Sequence, residues 1–195
     1  MEHEHELIAK SQLDPQYFVH HYNHYLPEIY KYVFYKVRNT NVAEDIVSDI
    51  FYKALKNIGK YKHKGFFRAW LFTIARNTVT SYYRKNSRET LHAYDNDNDT
   101  DQPDPVTVEG IVSAKESRAE LLNIVASLPP NQQDALLLRY TGDLKLKEIA
   151  YILKKSEGAV KQLLYRGLRN LHSKLSNKEK CSAVSASQGE CSSIT

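Results

Sequence analysis

Cysteine is nearly missing from this 195-residue chain: the only two, Cys181 and Cys191, sit in a Ser-rich stretch near its end. Two peripheral thiols cannot make a disulfide framework, which favours a reducing compartment. No apolar run approaches the roughly 18 residues of a membrane span. The opening MEHEHELIAK is acidic and lacks the apolar stretch of a secretory signal. The expectation is a cytoplasmic protein without membrane insertion. Sustained alternation of apolar and polar residues is also lacking, so no sheet is expected. Nor is there a phosphate-binding glycine loop, a nucleophile elbow or a paired-cysteine metal motif. No catalytic residue, cofactor or metal is therefore assigned, and the chain does not read as an enzyme.

What the chain has is enough apolar residue to fold (42%) and an uneven charge distribution behind a net +4. Residues 27 to 90 carry 13 Lys or Arg against 5 Asp or Glu, or +8. Residues 91 to 120 carry 2 against 8, or −6, and residues 121 to 177 carry 9 against 4, or +5. Two basic blocks separated by an acidic one suggest two surfaces for a polyanion. The acidic stretch HAYDNDNDTDQPDPVTVEG is poor in large apolar residues and cannot offset the entropy of ordering it. This division gives a helical domain over residues 12–90, a flexible acidic linker over 91–115, a second helical domain over 116–177 and a flexible tail over 178–195.

In the first domain Pro15 suits the first turn of a helix, and Pro27 is expected to divide that helix from EIYKYVFYKVR. Asn41 followed by Glu44 matches a capping box. Ile46, Val47, Ile50, Phe51, Ala54, Leu55 and Ile58 then form an apolar stripe that Gly59 ends. In FFRAWLFTIARNTVTSYYRKN, Phe67, Trp70, Leu71, Ile74, Ala75, Thr78 and Tyr82 share one face, and Phe72 falls nearer the other.

The second domain ends in two short helices joined by a few residues, the pattern of a helix-turn-helix. Ile149, Ala150 and Leu153 on the first would pack against Val160, Leu163, Leu164 and Leu168 on the second. Ser156 is a plausible cap for the second helix, and its backbone N–H groups favour a phosphate nearby. Opposite the stripe lie Gly158, Lys161, Gln162, Tyr165 and Arg169. Lys161 and Gln162 suit base edges in the major groove, and Arg166 and Arg169 suit phosphates.

The first basic block, KNIGKYKHKGFFRAWLFTIARN, interleaves cations and rings, as single-strand binders do. Tyr61, His63, Phe66 and Phe67 would clasp an unpaired base in or beside a loop. Glu44, Asp45 and Asp49 make an acidic edge unsuited to DNA. His20, His21 and His24, with Asp14 or Glu28, do not complete a metal motif, so they read as surface histidines.

AEDIVSDIFYKALKNI, then WLFTIARNTVTSYYRK, then LPPNQQDALLLRYTGDLKLKEIAYILKKSEGAVKQLLYRGLRNL resemble regions 2 and 4 of extracytoplasmic-function (group 4) sigma factors of the sigma-70 family. The resemblance implies an all-α chain of two small domains that confers promoter specificity on RNA polymerase core enzyme. It implies core-polymerase binding through Asp45, Asp49, Phe51 and Tyr52. It also implies capture of the melted −10 strand by Lys60, Tyr61, Lys62, His63, Arg76, Asn77, Thr80, Tyr83 and Arg84. The −35 duplex would be read by Ser156, Gly158, Lys161, Gln162, Tyr165, Arg166 and Arg169. The implied partners are core enzyme, promoter DNA both duplex and melted, and an anti-sigma factor. Two positions depart from the family: Asp134 stands where Arg is frequent, which removes an expected phosphate contact, and Ala159 stands where Thr is common. Two other readings remain at this point, a helix-turn-helix repressor or activator acting alone on duplex, and a sequestering protein without DNA contact.

Overall fold

The computed structural model describes residues 2–62, 66–89 and 121–187, with side chains over 5–62, 66–86 and 121–176. All regular structure among these residues is helical. Helix α1 (Glu2–Leu13) lies ahead of the first expected domain boundary, yet its Ile8 is buried in the main core. Asp14 accepts from the Gln16 N–H and starts a 3-10 turn over Pro15–Tyr17, with Pro15 at its first position.

Helix α2 (Phe18–Val37) runs straight through Pro27, where a break was expected. An internal proline costs about 3 kcal/mol. Burial of Phe18, Tyr25, Ile29, Tyr32 and Val33 along the same helix outweighs it, at roughly 1.5–3 kcal/mol for each large side chain. Arg38, in the left-handed region at φ 59°, ends α2.

Helix α3 (Thr40–Asn57) starts earlier than the expected capping box. The cap is Asn39, whose Oδ1 accepts from the Val42 N–H at 2.9 Å, so Asn41 is already helical. The stripe from Ile46 to Ala54 is buried as its spacing requires, but Leu55 is exposed.

Helix α4 (Phe67–Glu89) follows a short 3-10 turn at Ile58–Lys60 and buries Phe67, Leu71, Ala75, Thr78 and Val79. Phe72 is also fully buried, contrary to its outward position on the wheel. The reason is tertiary: the second domain covers that face. A Cβ placed on Gly142 would lie 2.9 Å from Phe72 Cζ, so only glycine lets the turn come so close.

Residues 121–126 form α5, and Pro130 occupies the first turn of α6 (Pro130–Tyr140). Helix α7 (Leu146–Leu153) opens with the Glu148 carboxylate accepting from the Lys145 N–H at 2.7 Å. It stops at Lys154, left-handed at φ 53°, and α8 (Glu157–Ser187) follows. The helix thus extends past 177 through residues expected to be a flexible tail. Its added stretch holds no Gly or Pro, the two residues that cost a helix most. The proposed linker residues 91–115 lie outside the described residues.

One apolar core links both halves. It contains Ile29, Tyr32, Ile50, Leu71 and Phe72 from the N-terminal half and Leu137, Leu138, Leu144, Ile149 and Val160 from the C-terminal half.

Candidate nucleic-acid interface

The second helix of the helix-turn-helix presents its polar side to solvent. Ser156 Oγ accepts from the Ala159 N–H at 3.2 Å, which confirms the cap. Gly158, Lys161, Gln162, Tyr165, Arg166 and Arg169 are all exposed, Tyr165 at 65%. Val160 is fully buried beneath them, whereas Leu168, expected to pack inward, is exposed. Gly167 takes the inward place instead: its absent Cβ would meet Leu136 Cδ1 at 3.0 Å. Helices α8 and α6 thus approach closely at Gly167, and Leu168, one residue on, faces out. Ala150 and Leu153 of α7 complete the packing beneath the turn.

The candidate −10 surface is less open. Lys60 and Lys62 are exposed, but Tyr61 is buried, with its ring 5.0 Å from Trp70 and 5.4 Å from Phe67. Tyr61 and Phe67 thus supply wall and not a free stacking platform. His63 lies outside the described residues. Phe66 is half-buried and stacks on Tyr151 of α7, with nearly parallel rings 6.0 Å apart. Gln12 of α1 donates from Nε2 to the carbonyls of Ile58 and Tyr61, at 3.0 and 2.8 Å, and so braces the chain entering this region.

Along α4, Asn77, Thr80, Tyr83 and Arg84 are exposed and Arg76 is partly so. The Thr80 hydroxyl is turned back to the Arg76 carbonyl at 2.8 Å. Tyr83 Oη donates to the Lys36 carbonyl at 2.6 Å and so ties α4 to the end of α2. Partial burial raises its pKa, with Tyr82 adding to the rise and Arg38 opposing it. Arg76 Nε donates to Asp134 Oδ2 at 2.7 Å, and Lys36 Nζ donates to Asp134 Oδ1 at 2.8 Å. Lys36 also donates to Gln133 Oε1 at 2.7 Å. The position flagged as a departure, Asp134, is thus a buried bridge between the two halves. Its small carboxylate was legible in the sequence; its two cationic partners, more than fifty positions away, were not.

The acidic edge divides as well. Asp45 and Tyr52 are exposed, Tyr52 at 63%, and Asp49 pairs with Lys53 at 2.6 Å. Phe51 is buried, with Tyr22 and Phe18 edge-on to it at 4.7 and 6.5 Å, so it supports the surface from beneath and cannot itself touch a partner there. Its place in the apolar stripe already carried that information. Among the histidines, His20 and His24 are exposed, while His21 is buried between Phe18 and Phe67. Among the described residues no group of three His, Cys, Asp or Glu could hold a metal, and no helix is long and apolar enough to cross a membrane.

Residues 21–89 match the model of Sigma-70 region 2 and residues 118–171 that of Sigma-70 region 4. YlaC of Bacillus subtilis, an RNA polymerase sigma factor, is 31% identical over 156 residues, covering 74% of this chain and 84% of its own length. The chain belongs to the extracytoplasmic-function sigma factors. A further relative is the ECF RNA polymerase sigma factor BldN of Streptomyces coelicolor, 35% identical over 173 residues. That match covers 85% of this sigma factor but only 63% of BldN. The sigma factor RpoE, solved in complex with the anti-sigma factor NepR from Bartonella quintana, shares the fold with a TM-score of 0.67 at 22% identity. It covers 82% of this sigma factor and 96% of the solved chain. Promoter recognition with RNA polymerase is therefore the function, in place of a lone repressor or a sequestering protein, and the sigma factor itself performs no bond chemistry.

Proposed function

We propose that this sigma factor divides promoter reading between its domains, α8 entering the −35 major groove and α4 with the chain before it holding the melted −10 strand. The observation that carries this reading is the display of Lys161, Gln162, Tyr165, Arg166 and Arg169 on one solvent-facing side of a capped helix. A major groove about 12 Å wide admits such a helix, and each good bidentate base contact discriminates by about 1–3 kcal/mol. On the other domain Lys60, Lys62, Asn77, Arg84 and Tyr83 supply cations and polar groups for a strand. Two modest sites on one tether gain effective concentration that neither has alone.

Core enzyme would dock on the acidic edge through Asp45, Asp49 and Tyr52, with Phe51 as the prop behind them. An anti-sigma factor is the proposed regulatory partner, in keeping with the NepR-bound RpoE of the same fold. The domain limits 12–90 and 116–177, with a tether between, belong to the same proposal, with α1 added to the first domain. Run-off transcription with purified core enzyme tests the whole. Initiation should require this chain, and a Lys161→Ala plus Arg169→Ala variant should lose it. Equal activity of that variant on every promoter would refute the −35 assignment.

A further inference from the structure

Asp134 has both carboxylate oxygens engaged, one by Lys36 and one by Arg76, and both cations belong to the other domain. The Lys36 and Asp134 side chains are only 10% and 6% exposed. The Tyr32 side chain is fully buried, and its hydroxyl makes no hydrogen bond among the described residues. Its electrostatic neighbours are Asp134 and Arg76. A buried phenol without a partner is costly and uncommon. Two cations around one small anion make a site whose charge suits a phosphate oxygen pair as well as a carboxylate, and the unused O–H donor nearby offers a further bond to a larger tetrahedral anion.

The surroundings of this cluster cross the same divide. Arg68 donates to the Gly142 carbonyl, Arg38 donates to Asn123 Oδ1, and Phe66 stacks on Tyr151. The N-terminal groups involved flank the α4 surface assigned above to the melted strand. Distance decides whether this arrangement survives on a promoter. Elements about 25 base pairs apart lie about 85 Å apart along B-form duplex. Helix α8, with 31 residues, is about 46 Å long, and α4 packs directly on α7 beside it. The closed arrangement cannot place both readers, but residues 90 to 120, fully extended, reach about 100 Å. Opening is required, and it frees Lys36 and Arg76.

We propose that Lys36, Arg76 and the Tyr32 hydroxyl form a phosphodiester-binding cradle for the melted promoter strand, and that Asp134 occupies this cradle in the free chain until the domains separate. The proposal rests on the assignment of the −10 strand to α4. It gives the free sigma factor a built-in competitor for single-stranded DNA, one that a promoter phosphate replaces.

The test is anisotropy of the full chain, without core enzyme, on a labelled random-sequence single strand of about a dozen nucleotides, a length within the usual site sizes. Closure lowers apparent affinity by the fraction of chain that is open, so Asp134→Asn should bind roughly tenfold tighter. Tyr151→Ala loosens the closed form from an exposed ring outside the cradle and should also tighten binding, which covers the case of Asp134→Asn failing to fold. Adding Lys36→Gln to Asp134→Asn should abolish the gain, and adding Tyr32→Phe should reduce it. Asp143→Asn removes an equal charge away from the cradle and should change binding by less than about twofold, as a surface charge does. A duplex of the same length should show little gain. Folded Asp134→Asn and Tyr151→Ala variants with unchanged affinity would overturn the proposal, as would a gain that survives Lys36→Gln. Run-off transcription of the wild type separates the failures: if initiation occurs and the gain does not, only the cradle falls. If initiation fails, the strand assignment beneath it falls too.

Discussion

Helix α8 packs on α6 and α7 of its own domain and turns its basic side to solvent, whereas α4 is covered in part by the other domain. The proposed C-terminal reader is built on aliphatic pieces and glycine, with Gly167, Leu136, Val160 and Ile149 at its contacts. The proposed N-terminal reader is built on rings, with Phe67 against Tyr61, Trp70, Tyr25 and His21, and Tyr61 against Trp70. Duplex DNA offers its groove without being opened, so a rigid, always-displayed helix serves it. Under the proposed assignment, single strand appears only after melting, and a surface partly covered until then would bind fewer wrong targets. The two surfaces differ in availability more than in charge.

The strongest way to break this contrast is to remove a side chain from the shared core. Ile149→Ala should cost about 2–5 kcal/mol. If the core is truly continuous, thermal unfolding followed by Trp70 fluorescence, in the N-terminal half, should shift along with helical circular dichroism. Two separate transitions would show the halves to be independent. Next in size is loss of base readout: Lys161→Ala should reduce discrimination between matched and mismatched −35 duplexes by about 1–3 kcal/mol in competition binding. Arg169→Ala should instead weaken all duplexes alike and lower the salt slope by about one unit.

Tyr32 sharpens the other side of the comparison. Burial, foremost, and then the Asp134 charge push its pKa well above the ordinary value, while Arg76 opposes them. The native state therefore disfavours the phenolate. Stability is intact below the ordinary phenol pKa of about 10 and declines as pH rises through and beyond it, because the unfolded chain ionises first. Denaturant unfolding across that range should show the decline, and Tyr32→Phe should flatten it. At neutral pH the same change should cost less than about 1 kcal/mol, since no hydrogen bond is lost. The smallest effect concerns the joint of the helix-turn-helix. Lys154→Gly relieves a left-handed residue at φ 53° and should stabilise the C-terminal half by up to about 1 kcal/mol in thermal melts.

Much of this was legible without coordinates. Periodicity placed the buried face of α3 from Ile46 to Ala54, and the cap at Ser156 marked where α8 begins. Both depend on neighbours within one turn. The same local logic misplaced Pro27, because helix propensity there is overruled by aromatic burial along α2. By local pattern Tyr61 reads as a stacking ring in a loop, because contact with Trp70 is invisible at that range. Gln12 gave no signal at all: a glutamine bracing carbonyls 46 and 49 positions away looks like any surface glutamine.

The amino-acid order alone determined the helices, the two basic blocks and the exposed row from Lys161 to Arg169, since these follow from spacing and charge over a few turns. Only tertiary packing decided that Phe72 is inside, that Phe51 is a prop, and that Asp134 sits between Lys36 and Arg76. A carboxylate and two cations attract wherever they are in a sequence, but whether they meet is settled by the shapes that bring the domains together.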